Sequence, residues 1–301
     1  MKARLVAAAT PVVLLLASPA GASAIQINTN FKPQNEFKLD PWIPIKIGPI
    51  DLSINKAVLY LLLAALATTL TMLYVANRMQ ARPNRVQTAV EVAYGLMRDN
   101  IAGGNMDRRM ATKWFAFVGT LFLFIWFSNM IGYLPLPTNT EEKVNILGLH
   151  VPSLSLYAAT ANISTPLVLT LIVWISYHVE GIRAKGFIGY IKGWIPKGTP
   201  RGLILLVFPI EVISQFVRII SLSVRLFANI LAGHLLILFM GGGLVVLLNL
   251  AAVGSLILGL ITGVAAVAFF LFEIGLIATL QAFIFATLTA IYLGESVAES
   301  H

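Results

Sequence analysis

The sequence contains no cysteine. A disulfide framework and thiolate chemistry are therefore excluded, while the redox compartment stays open. Charge is scarce too: 11% of the 301 residues are Asp, Glu, Lys or Arg, against about a quarter in an ordinary soluble domain. A soluble globular enzyme is excluded. The four histidines, His150, His178, His234 and His301, are scattered without metal-ligand spacing, so no metal and no cofactor is expected. There is no HExxH, no nucleophile turn with a histidine partner and no phosphate-binding glycine loop followed by lysine. An intramembrane enzyme is left without machinery. What the chain does have is apolar: 58% hydrophobic residues and a mean hydropathy of +0.84. Its apolar runs are long enough, at 1.5 Å rise per residue, to cross a hydrocarbon core of roughly 30 Å. It reads as an all-α polytopic membrane protein.

The net charge of +8 comes from 21 Lys and Arg against 13 Asp and Glu, and position explains it. Basic residues gather between spans, at Arg78, Arg82, Arg85, Arg98, Arg108, Arg109 and Lys113, then at Arg183, Lys185, Lys192, Lys197 and Arg201. Membrane topology accounts for both groups, and nucleic acid is unnecessary. Residues 1–24 have the layout of a cleaved export signal: Lys2 and Arg4, an apolar stretch, then small residues ending at Ala24. Residues 25–54, with Pro33, Pro41, Pro44 and Pro49, read as an extended segment on the outer face. A membrane domain over 55–293 and a tail over 294–301 follow.

Five crossings are expected, near Asn55 to Ala76, Trp114 to Leu134, Ile163 to Val179, Gly202 to Met240 and Leu244 to Tyr292. Between the first two, Val86, Val90, Ala93, Tyr94, Met97 and Ile101 recur at helical steps, as in an amphipathic surface helix. The loop with Glu141, Glu142 and Lys143 is acidic and belongs outside. The last two segments meet at the triple glycine Gly241 to Gly243, and the second would measure on the order of 70 Å as a straight helix. They must tilt, bend or break as a hairpin. An outside N-terminus and five crossings put the C-terminus in the cytoplasm by parity alone.

Ionisable groups inside a membrane are expensive and mark function by default. On a wheel at 100° per residue from Glu211, Gln215 falls at roughly +40°, Arg218 at −20°, Arg225 at −40° and Asn229 at 0°. The bland reading is a polar seam in which Glu211 pairs with Arg218; a functional face is the alternative, and both stay open for Glu211, Gln215 and Arg218. Arg225 is different. It lies deep in the apolar run without an acid within four positions, and its guanidinium stays protonated. Its counter-charge must come from elsewhere. Ser221, Ser223, Ala228, Ala232 and Gly233 are small enough for another helix to approach. His234 points away from the stripe, at roughly 140°, and Glu273 is a carboxylate with which it could form a protonatable pair. Straight helices turning at the triple glycine would not align those two.

At SLSVRLFANILAGHLL and TLQAFIFATLTAIYL the chain resembles subunit a of the F-type ATP synthases. PIEVIS, SNMIGYLP and ATANISTPLVLTL extend the similarity. The resemblance implies an ion-translocating stator subunit, non-catalytic by itself, beside a ring of c-subunits and held with b-type peripheral stalk subunits in the rest of the complex and the lipid bilayer. It implies two half-channels leading to the ring, with Arg225 keeping them electrically separate and Asn229 and Gln281 beside it. The family often has an acid at the position of His234 and a compensating residue in the last helix, which Glu273 would supply. Glu273 stands eight residues before Gln281 where seven is expected, an offset of about 100° unless the helix bulges. A bacterial inner membrane is implied, with a thylakoid membrane as the alternative. The rival classes are a self-contained carrier, disfavoured by the lack of an internal repeat, and a structural adaptor in which Arg225 is dispensable.

Overall fold

The computed structural model describes residues 37–48, 50–51, 53–78, 84–137, 143–146, 149–152, 156–195, 198–248, 250 and 252–298. The export-signal-like start, the first part of the outer segment, Glu141, Glu142 and the last three residues lie outside the described residues. Among the described residues five stretches are long and apolar enough to cross a membrane: Lys56–Tyr74, Arg108–Gly132, Ser164–Lys185, Gly202–Val246 and Val253–Val297. The fold is all-α in its membrane part. Two short antiparallel hairpins, Lys46–Ile47 with Ile50–Asp51 and Lys143–Ile146 with Leu149–Pro152, stand between or before the spans.

Helix α1 (Lys56–Arg78) is a run of Leu, Ala and Thr without glycine or proline, started by Asn55, whose Oδ1 accepts the Val58 N–H at 3.2 Å. Helix α2 (Arg85–Gly95) is capped in the same way by Asn84 and runs on through a π turn at Leu96–Ala102. Its alternation turns Met97 and Ile101 inward, and Met97 meets the next helix at Gly119, where a methyl group would stand 3.4 Å from its Sδ. Helix α3 (Arg108–Gly132) begins six residues before the expected Trp114. Helix α4 (Ser164–Lys185) continues six beyond Val179 and stops at Gly186, whose φ of 71° favours glycine. Both extensions lie outside the apolar run and carry basic residues, of which Lys113 and Lys185 find polar partners. A short α5 (Phe187–Lys192) leads to α6 (Arg201–Leu238), then to α7 (Ala252–Phe272) and α8 (Ala278–Val297).

The described residues divide into two compact units, one comprising Leu39–Leu231 with the chain from Ile274 onward, the other Ala232–Glu273 together with Phe37 and Lys38. In the larger unit α8 packs on α3 and α4, and α1 on α3. Its core is polar at one level. The Asn129 side chain, fully buried, donates to the carbonyl of Ala278 at 3.3 Å and accepts the Thr160 hydroxyl at 2.7 Å. Gly132 lies so close to Ala158 that a methyl group there would overlap it. SNMIGYLP and ATANISTPLVLTL are thus one packing motif that locks the end of α3 to the start of α4 and to α8. At the other end of this unit both basic segments meet. Lys113 bonds Glu180 at 2.5 Å, Arg109 and Arg183 line one open cavity, and Lys185 donates to the Ala298 carbonyl.

In the smaller unit the chain does not reverse at the triple glycine. A methyl group on Gly259 would stand 3.7 Å from Cγ2 of Val245, and one on Gly233 would overlap the Glu273 carboxyl; these pairs are centred at residues 252 and 253. The triple glycine instead forms a π turn, Phe239–Gly243, with Gly242 at φ 146°. It redirects the outgoing helix, which continues through Leu244–Leu248 before the reversal.

Candidate ion-translocation site

The stripe on α6 begins in the larger unit. Gln215 is buried and held from α4: its Oε1 accepts the Tyr177 O–H at 2.9 Å, and its backbone carbonyl accepts the Trp174 indole N–H at 3.2 Å. Arg218 does not pair with Glu211. The two are seven residues apart, about 10.5 Å along the helix and too far for direct contact, and the end of α8 supplies the nearer acid. Arg218 Nη1 meets Glu295 Oε2 at 3.0 Å, and its guanidinium lies 4.6 Å from the Tyr292 ring centroid. Glu211, Gln215, Arg218, Tyr190 and Glu295 line a cavity of about 170 Å³. Burial pushes the Tyr190 phenol above its ordinary range, so it faces the cavity as a neutral group.

Two turns beyond Arg218, Arg225 is exposed, as is Asn229 one turn further on. Among the described residues neither side chain makes a hydrogen bond or an ion pair. Arg225 stands at the middle of the 45-residue span Gly202–Val246, of whose most apolar window only 6% is buried. Ser221, Val224 and Ala228 are exposed with it, which leaves a shallow strip of small side chains around a permanent cation. Ser223 departs from the expected groove: it is buried, and its hydroxyl donates to the Ile219 carbonyl of its own helix at 2.7 Å. Gln281 is buried on α8.

His234 and Glu273 are both buried in the smaller unit, and neither is left free. Glu273 is brought against Gly233, the neighbour of His234, because the reversal is centred near residue 252. The expected misalignment rested on a turn at the triple glycine and does not hold. The eight-residue interval to Gln281 has its own resolution: Glu273–Ile277 is a π turn, which takes up one extra residue. The bulge that the register requires is present.

Sequence reasoning missed Glu295, Tyr292 and Tyr177. Glu295 reads from the sequence as part of the tail, but α8 runs on to Val297. The signal available was spacing, since Tyr292 and Glu295 are three apart and share a helix face.

The comparison with protein families decides the membership. Residues 58–294 match the model of the family described as ATP synthase A chain. The chain belongs to that family. It is 33% identical over 270 residues to the ATP synthase subunit a of Paramagnetospirillum magneticum, covering 88% of this chain and 98% of that one. The Rubrobacter xylanophilus protein of the same name is 34% identical over 261 residues, 86% of this chain and 90% of its own. That of Mesorhizobium japonicum is 33% identical over 270 residues, covering 89% and 97%. Membership makes the chain a multi-pass, non-catalytic subunit of the proton-translocating Fo sector, a stator component of the larger ATP synthase. The self-contained carrier reading gives way to it.

Proposed function

We propose that the exposed strip around Arg225 is the surface along which a ring of c-subunits passes, and that Arg225 separates two proton half-channels leading to that ring. One observation carries the reading: a permanently charged side chain is exposed at the centre of an apolar span with no hydrogen bond or ion pair among the described residues. A cation in hydrocarbon needs a partner, and this one is free to meet carboxylates that arrive and leave. A carboxylate travelling through lipid must be neutral to avoid its desolvation cost, and a fixed guanidinium makes it release its proton on arrival. Asn229 and Gln281 are uncharged groups that hydrogen-bond water or the carboxylate beside the arginine. His234 and Glu273 line one route, and Glu211, Gln215 and Arg218 belong to the polar wall of the other.

The b-type peripheral stalk subunits hold the chain against the ring's torque. The convergence of both basic segments with the last turn of α8 supports a cytoplasmic C-terminus, by the positive-inside bias. An N-terminus outside follows, with residues 1–24 as export signal, in a bacterial inner membrane. In membrane vesicles Arg225→Ala leaves the subunit assembled but abolishes ATP synthesis driven by an imposed proton gradient. Coupled synthesis at the normal rate in that variant overturns the proposal. His234→Ala and Glu273→Ala slow synthesis without abolishing it.

A further inference from the structure

Two cavities of very different size lie in the larger unit, and one side chain walls both. The outer one, about 1040 Å³, is lined by Arg109, Lys113, Glu180, Arg183 and Glu295. The inner one, about 170 Å³, is lined by Glu211, Gln215, Arg218, Tyr292 and Glu295. Glu295 is clamped between them by Arg218 at 3.0 Å, whose guanidinium is in turn held over the Tyr292 ring. The Glu295 side chain is 55% exposed, while that of Arg218 is 27% exposed. A proton carrier with one side in water and the other in a small polar cavity has this arrangement. Arg218 is unsuited to the task, because its guanidinium does not release a proton.

We infer that Glu295 is the side chain through which protons pass between the inner cavity on the Arg225 stripe and the larger outer cavity, with Arg218 as its positioning residue. This rests on the reading of Arg225 given above. In the outward step a hydronium ion in the inner cavity gives its proton to a Glu295 carboxylate oxygen and becomes water. The neutral acid loses its charge-assisted bond to Arg218, then gives the proton to water in the outer cavity, and the carboxylate returns to Arg218. One O–H bond forms and one breaks in each transfer, and nothing is oxidised or reduced. Between transfers the carboxylate rests on the Arg218 guanidinium at 3.0 Å. The outer cavity is also lined by Asp107, Arg109 and Arg183 and by the closed Lys113–Glu180 ion pair, and among the described residues Glu295 is the one that lines both cavities.

The test uses the whole complex in membrane vesicles, reading both ATP-driven acidification and gradient-driven ATP synthesis. Glu295→Gln is expected to lower both rates at least tenfold at a normal level of assembled subunit, and Glu295→Asp to restore most of the loss. Normal rates in Glu295→Gln overturn the inference. If Arg225→Ala still abolishes coupling in the same membranes, the function proposed above stands without it; if both variants run normally, that proposal fails as well. A second measurement does not depend on Glu295→Gln assembling. Ser296 lines the inner cavity, and the chain is free of cysteine, so Ser296→Cys exposed to silver ion is expected to lose at least fivefold in flux relative to the unsubstituted complex. Unchanged flux with silver bound also contradicts the inference.

Discussion

Gly233 sets how near Glu273 can come to α6, because a methyl group at that position would overlap the carboxyl. Gly233→Ala therefore forces the smaller unit open, an overpacking cost of about 1–3 kcal/mol, and moves the carboxyl away from the neighbourhood of His234. Gradient-driven ATP synthesis should fall several-fold in Gly233→Ala. It should stay normal in Gly241→Ala, whose added methyl meets nothing within 4 Å. Equal rates in the two variants would contradict the assignment of Glu273 and His234 to one route. Arg225 was legible from the sequence because its lack of nearby acids is a property of the sequence itself. The partner of Arg218 was not, because Glu295 approaches it from 77 residues away and no local spacing encodes that.

The last two helices were legible as elements in number and length, but not in how they reverse. The triple glycine reads as a turn in the sequence, whereas its freedom is spent on a bend inside the outgoing helix, at Gly242, and the pairs Val245–Gly259 and Gly233–Glu273 are centred about ten residues further on. The π turn at Glu273–Ile277 is the clearer case. Its need followed from the eight-residue interval, but the hydrogen-bond shift that creates it left no pattern in residue type. Deleting Gly275, exposed and with open space around it, removes the extra residue from the π turn that begins at Glu273. ATP synthesis in that deletion should fall at least as far as in Glu273→Ala, whereas Gly275→Ala should retain it. A fully active deletion would mean that the direction of Glu273 is unimportant.

At the scale of the whole molecule the spans differ sharply in how much of themselves they cover. Half of the most apolar window of Arg108–Gly132 is buried, against 6% for Gly202–Val246 and 11% for Val253–Val297. Apolar side chains such as Leu256, Leu260 and Val264 are about seven-tenths exposed, at 75%, 71% and 68%. Water would not tolerate such surfaces; lipid or another subunit must face them. The five spans were readable because the bilayer imposes length on the sequence. The polar lock around Asn129 was readable only as a motif, since its partners Thr160 and Ala278 come from two other segments. The most direct measurement of the central claim is disulfide formation between cysteines set along α6 and one set beside the ion-carrying carboxylate of a c-subunit helix, in native membranes. The account predicts crosslinks from Ser221, Val224 and Ala228, flanking Arg225, and none from the buried Leu222 and Leu226. Absence of links at the exposed positions, or links from them to this chain's own helices, would contradict it.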